Sequence, residues 1–358
     1  MNSKQPSKLP DTIDLPPQAP IAACTGITLK SKDSTTIVAR TIEWGGSNLN
    51  SQYVVVPRGY TERSYTPNGV DGMTFTARYG YVGLAVEQKE FIAEGLNEVG
   101  LSAGLFYFPK YGEYEKYNAA VRDKSISDLQ LVSWLLGECS NVEEVKEAVK
   151  KVHVINIDPR ASTVHWRFAD VSGRQVVLEI INGQPRFYEN KLGVLTNSPG
   201  FEWQLTKLNN YINLFPGGVA PHALSNLTLT AFGAGSGFLG LPGDVTPPSR
   251  FVRIGFYKAT APQQPTGFET VLQCFHILNN FDIPIGIEYS VGESPDIPSA
   301  TQWTSAIDLT NRKIYYKTAY NSTIRCIDLK NIDFNTVRYQ SFPLDKTRQQ
   351  PIEYLHIE

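Results

Sequence analysis

CTGITLKSKDSTTIVARTIEW, residues 24–44, places one cysteine at the head of two β-rich runs. The runs 27–31 and 35–43 alternate loosely between apolar and polar residues, and Lys32-Asp33-Ser34 supplies the turn between them. This reads as an antiparallel hairpin with Cys24 just before its first strand. A cysteine inside a chain is usually a small buried hydrophobe. One that becomes the first residue carries a free amine beside its thiol. The 23 residues ahead of Cys24, MNSKQPSKLPDTIDLPPQAPIAA, are rich in proline and polar groups. They contain no apolar signal-peptide core and read as a disordered leader. Their end, IAA, is a small-residue cleavage pattern. The expected organisation is a leader at 1–23, removed on maturation, followed by one domain at 24–358.

Working outward, strands are expected at SQYVVVPRGY and MTFTARYGYVGLAVE, a turn at GLNEVG (95–100), and an apolar strand at LSAGLFYF. Capping boxes at Ser127–Gln130 and Ser140–Glu143 announce two helices, LQLVSWLLGE and VEEVKEAVKK. Strands return at VHVIN and in the meander TVHWRFADVSGRQVVLEIINGQPRFYE, which turns at Asp170–Gly173 and Asn182-Gly183. FEWQLTKLNNYINLF, SRFVRIGFYKATA and GFETVLQCFHILNNF read as helices. IEYSV, TQWTSAIDLTNRKIYYKTAYN and STIRCIDLK read as strands. Strands outnumber helices, and the helices fall in pairs between strand blocks. That order suits a layered α+β fold better than a doubly wound one.

Composition narrows the function. The chain has 358 residues, 41% apolar and 19% charged, enough for a sizeable core in one large β-rich domain or two smaller ones. A net charge of -2 gives no basic field for nucleic acid. No run approaches a bilayer span. Cys24, Cys139, Cys274 and Cys326 lie far apart, with neither disulfide-framework nor zinc spacing. GSGFLG (235–240) matches a dinucleotide fingerprint in letters only, because LPGDVTPP follows where a helix should start. The histidines are scattered; His153 and His165 fall within strands, where such residues are hydrogen-bonded structure. An acyl-transfer base must therefore come from elsewhere. The α-amine of an N-terminal Cys24 is one, with an ordinary pKa of about 7.7–8.0. IAAC also matches the end of a lipoprotein signal, which defines a rival from another class: a non-catalytic binding protein tethered by lipid at Cys24.

CTGITL, ARTIEW, GLNEVGLSAG, LTNSP and GLPGDVTPPSRFVR, in this order, resemble the choloylglycine hydrolase family. That family contains penicillin V acylases and conjugated bile salt hydrolases, which are N-terminal nucleophile hydrolases of linear amides. The resemblance implies a four-layer αββα sandwich and no metal or cofactor. It implies Cys24 as nucleophile, Arg40 and Arg250 beside it, and Asn197 as oxyanion donor. It places Tyr107 as a second oxyanion donor through its backbone N–H. Glu43 stands where the family has aspartate, with the role of orienting Arg40 or the α-ammonium. Residues three apart on a regular strand face opposite sides, so Arg40 and Glu43 share a site only if their strand bulges or ends between them. Tyr107 falls where penicillin V acylases have tyrosine and bile salt hydrolases have asparagine. This favours penicillin V and related aryl- or fatty-acyl amides, with bile salts and acyl-homoserine lactones as alternatives. The resemblance also implies a homotetramer, built partly through the region after LTNSP; FEWQLTKLNNYINLF is the candidate for that part, although its apolar face is more cheaply explained by the protomer's own core. Export to the periplasm would follow if the native precursor carries a signal peptide.

Overall fold

The computed structural model describes residues 22–158, 162–288 and 295–357. The opening hairpin forms as expected: β1 (Ala22–Lys30) pairs antiparallel with β2 (Thr36–Trp44), in unbroken register from Ala22↔Trp44 to Lys30↔Thr36. Ser34 takes the left-handed conformation in the turn, at φ 69°. The first eight residues of β2 are all buried. Both faces of this strand are covered, which is why its apolar residues alternate only loosely.

β1 and β2 sit inside a six-stranded antiparallel sheet. Its order is Val194–Leu195, β1, β2, Thr301–Asp308, Lys313–Thr318, Asn321–Asp328. A second antiparallel sheet has eight strands: Gln184–Glu189, Gln175–Ile181, Val164–Ala169, Ser102–Tyr107, Ile92–Asn97, Tyr81–Ala85, Gln52–Val56 and Gln340–Pro343. The sheets face each other, with β1 against Ser102–Tyr107. Helices α1 (Leu131–Glu138) and α2 (Val142–Val149) cover the outer face of the eight-stranded sheet. The short α3 (Phe201–Lys207) leads to α4 (Pro247–Thr260) and α5 (Gly267–Leu278), which cover the six-stranded sheet. This is the four-layer αββα sandwich of the N-terminal nucleophile hydrolases.

Several local expectations change. Ser127 does not cap α1. A 3-10 turn at Asp128–Gln130 intervenes, and the Gln130 side chain instead accepts the Tyr65 backbone N–H at 2.8 Å. The cap of α2 is Asn141, one residue later than expected, bonding the Glu144 N–H. Gly95–Asn97 belong to a strand, leaving only 98–100 as the turn. FEWQLTKLNNYINLF is helical only through Lys207, with a 3-10 turn to Tyr211. Its apolar side chains do not all reach the protomer's core: Ile212 is 90% exposed and Trp203 49%. In IEYSV, Ile287 and Glu288 lie in a turn, and the rest falls outside the described residues. GSGFLG carries a 3-10 turn at Ser236–Phe238, with the next helix starting only at Pro247.

The inter-sheet core has a polar centre. Arg40, Glu94 and Arg167 are buried there around Phe106, with the Arg40 guanidinium 4.0 Å from that ring's centroid. Two glycines make the room. A Cβ on Gly26 would stand 2.9 Å from the Phe106 ring, and one on Gly104 would overlap the Glu94 carboxylate.

Candidate active site

Cys24 lies at one end of the sandwich and is 3% exposed. Strand alternation turns its side chain into the inter-sheet space, on the same face as Arg40 of the paired strand. Arg40 Nη2 donates to the sulfur at 2.6 Å. The rest of the guanidinium bonds the carbonyls of Leu105 (2.5 Å), Ala93 (3.1 Å) and Thr41 (3.2 Å). It therefore cannot swing away without giving up three carbonyl partners. The backbone N–H of Tyr107 also acts on the thiol, favouring its ionised form. Burial raises the thiol above its ordinary pKa. Arg40, the Tyr107 N–H and Arg250 pull it down, Glu43 pushes it up, and burial wins.

The second half of the site comes from the LTN segment and the start of α4. Asn197 Oδ1 accepts the Cys24 backbone N–H at 2.9 Å and Arg250 Nη2 at 2.7 Å. Two donors at one atom fix the orientation of the amide. Its Nδ2 then donates to the Tyr107 carbonyl at 2.7 Å, and one N–H of that nitrogen is left for another acceptor. Arg250 also donates to the Cys24 carbonyl (2.6 Å) and to Thr25 Oγ1 (2.8 Å), while its Nε holds the Val245 carbonyl at 2.8 Å. One side chain thus ties the first turn of α4 to β1 and to Asn197.

Five of the six expected residues converge on Cys24: Cys24 itself, Arg40, Asn197, Arg250 and the Tyr107 backbone. Glu43 does not join Arg40. β2 neither bulges nor ends between them, so the parity rule holds and they face opposite sides. The bulge lies in the neighbouring strand, where the register slips between Thr301 and Trp303. Glu43 faces the helix layer, directly across from Ala23, and its Oε1 accepts the Thr301 hydroxyl at 3.1 Å. Burial pushes its carboxyl up to about 8, with nearby Arg250 opposing and Glu288 adding to the rise. The carboxylate beside Arg40 is instead Glu94, 3.6 Å from Arg40 Nη1 and 2.7 Å from Arg167 Nη2. The sequence does carry a sign of that pair: a lone charge in each of the apolar runs FIAEGLN and HWRFA. The Tyr107 side chain turns away, its hydroxyl bonding Ser162 at 2.8 Å. All four cysteines are free thiols, and Cys139 and Cys274 are buried in the core.

The arrangement can bring a sulfur, a cation and oriented amide donors to one carbonyl carbon. Residues 24–342 match the model of the linear amide C–N hydrolases, choloylglycine hydrolase family. The chain is 32% identical to a bile salt hydrolase/transferase of Clostridium perfringens, over 88% of this chain and 95% of that protein. It is 26% identical to a penicillin V acylase of Pectobacterium atrosepticum, over 83% and 78%. Crystal structures of Cys-to-Ala and Arg-to-Leu variants of the conjugated bile acid hydrolase from C. perfringens each superpose with a TM-score of 0.81 at 30% identity, covering 93% of this chain and 100% of the other. The positions altered in those two variants are sixteen residues apart, the separation of Cys24 and Arg40. A penicillin V acylase from Agrobacterium tumefaciens shares the fold at TM-score 0.73, covering 91% and 93%, with 23% identity. The chain belongs to the choloylglycine hydrolase family of linear amide C–N hydrolases.

Proposed function

We propose that this enzyme cleaves its amide through a thioester on Cys24 after the bond between Ala23 and Cys24 is cut. The observation that carries the reading is the convergence of Arg40 on the sulfur and Asn197 on the Cys24 nitrogen. In the form with the leader attached, that nitrogen is an amide and cannot be a base. Freed, it becomes an α-amine within reach of the same asparagine oxygen. The amine takes the thiol proton, and Arg40 stabilises the thiolate. Sulfur attacks the substrate carbonyl. The oxyanion is met by the remaining Asn197 N–H and the Tyr107 backbone N–H; each such donor is worth about 2.7–4 kcal/mol of barrier. The α-ammonium protonates the leaving amine, and water then hydrolyses the thioester with the same amine as base. Burial of the sulfur against Arg40 counts against a lipid tether there.

For the substrate, similarity to bile salt hydrolases puts glycine- and taurine-conjugated bile salts first. Tyr107 favours a second reading, phenoxymethylpenicillin. We further propose that the exposed apolar segment after α3 packs against a second copy of the chain in a tetramer. Its hairpin, His222–Leu224 with Leu227–Leu229, is wholly exposed, and Leu224 and Leu227 stand about 60% open to solvent.

The test is intact mass together with turnover of glycocholate, taurocholate and phenoxymethylpenicillin. Active protein is expected to start at Cys24, and a folded Cys24→Ala variant to turn over nothing. Activity in protein still carrying Ala23 would end the proposal.

A further inference from the structure

His165 takes no part in the chemistry above, yet it touches both segments that carry the oxyanion donors. It is fully buried on the strand Val164–Ala169. Its ring stacks flat on Phe108, the residue after Tyr107, at 4.4 Å between centroids and 6° between planes. It meets Phe106, on the other side of Tyr107, edge-on at 6.2 Å. Nε2 lies 3.0 Å from the carbonyl oxygen of Thr196, the residue before Asn197. Nδ1 lies 3.3 Å from Glu179 Oε1, and that same oxygen accepts the Phe201 backbone N–H at 2.8 Å.

Donor accounting makes this arrangement specific. A carbonyl oxygen can only accept, so Nε2 must carry a proton. Nδ1 then faces the Glu179 carboxyl oxygen. The turn 196–201 is fastened at both ends, through Thr196 to His165 and through Phe201 to Glu179. Asn197 lies between the fastenings. The fit is close: a Cβ on Gly200 would stand 3.2 Å from Glu179 Oε2.

We propose that His165 and Glu179 are positioning residues that hold Asn197 in line with the Tyr107 N–H, and so set the strength of the oxyanion site without touching substrate. The inference rests on the oxyanion role given to Asn197 above. Small displacements of such donors cost rate, because the stabilisation depends on donors fixed before the reaction begins.

The experiment uses mature enzyme and whichever of the three substrates above it turns over fastest. His165→Ala and the milder Glu179→Gln are measured alone and each combined with Asn197→Ala, with Tm recorded for all. His165→Ala is expected to lower kcat at least 10-fold with KM changed less than threefold, and Glu179→Gln to lower it less. The rate of Cys24 alkylation by iodoacetamide should stay within twofold of wild type. A general loosening of the fold would move that rate as well. Each double variant should be no slower than Asn197→Ala alone, since a residue acting through Asn197 has nothing left to position. Multiplicative losses in the doubles, or an unchanged kcat in both single variants, would overturn the positioning role. An Asn197→Ala enzyme with unchanged kcat would instead remove the oxyanion assignment on which it stands.

Discussion

A Glu43→Gln substitution in protein kept in its leader-bearing form by Cys24→Ala should change how stability depends on pH. Glu43 is 1% exposed and its carboxyl is pushed up to about 8 by burial, against an ordinary value of 4.5. A carboxyl whose pKa is higher folded than unfolded favours the folded state only while protonated. Its penalty is absent below the unfolded pKa and grows as pH rises, until the folded pKa is passed. Between pH 5 and 7.5 the slope of about 1.4 kcal/mol per pH unit amounts to about 3 kcal/mol. Glutamine has nothing to ionise and escapes this cost. The Gln variant should match its parent at pH 5 and melt roughly 5 °C higher at pH 7.5, at about 1–2 °C per kcal/mol for a chain of this size. Glu62 and Asp128, each raised to about 7 by burial, impose the same trend on both proteins and cancel in the difference. The assay is Tm against pH from 5 to 8 for the pair, with intact mass confirming that residues 1–23 remain. Parallel profiles would refute a neutral, buried Glu43. In the processed enzyme the gap should shrink, because the new ammonium on Cys24 draws the carboxyl back down.

Arg40→Leu should abolish turnover and lower stability by about 3–5 kcal/mol, since Glu94 loses one of its two cations and three carbonyls lose their donor; urea denaturation reads the loss. Tyr107→Asn should raise kcat/KM for glycocholate relative to phenoxymethylpenicillin, and an unchanged ratio would separate this side chain from substrate choice. Leu224→Asp with Leu227→Asp should leave Tm within 2 °C while reducing the mass in multi-angle light scattering to that of a monomer.

The hairpin, the paired helices and the convergence on Cys24 were legible because each rests on short-range signals or on a motif. Turn residues mark the hairpin, and 3.6-residue periodicity marks α4 and α5. Strand parity also anticipated that Arg40 and Glu43 would part company unless β2 was irregular. What could not be read is which groups meet across the two sheets. FIAEGLN shows a charge facing inward but not that its partners are Arg40 and Arg167, which arrive from separate strands. Nor does an apolar stripe say what covers it. The pattern over 201–215 pointed to one helix on the protomer's own core, yet the helix stops at Lys207 and leaves Ile212 in solvent. Ser127 misled because its caps are decided by a neighbour, Ser64, whose hydroxyl takes the Ser127 N–H at 2.8 Å.

β1 has nine residues, and the first two, Ala22 and Ala23, lie opposite Trp44 and Glu43. A cut after Ala23 strips both from the ladder and bares the last rungs of β2 beside the new terminus. The Glu43 backbone groups released there would face the space that Ala23 occupies. Water must then take over that rung, so processing would turn a buried end of β2 into a solvated strand edge.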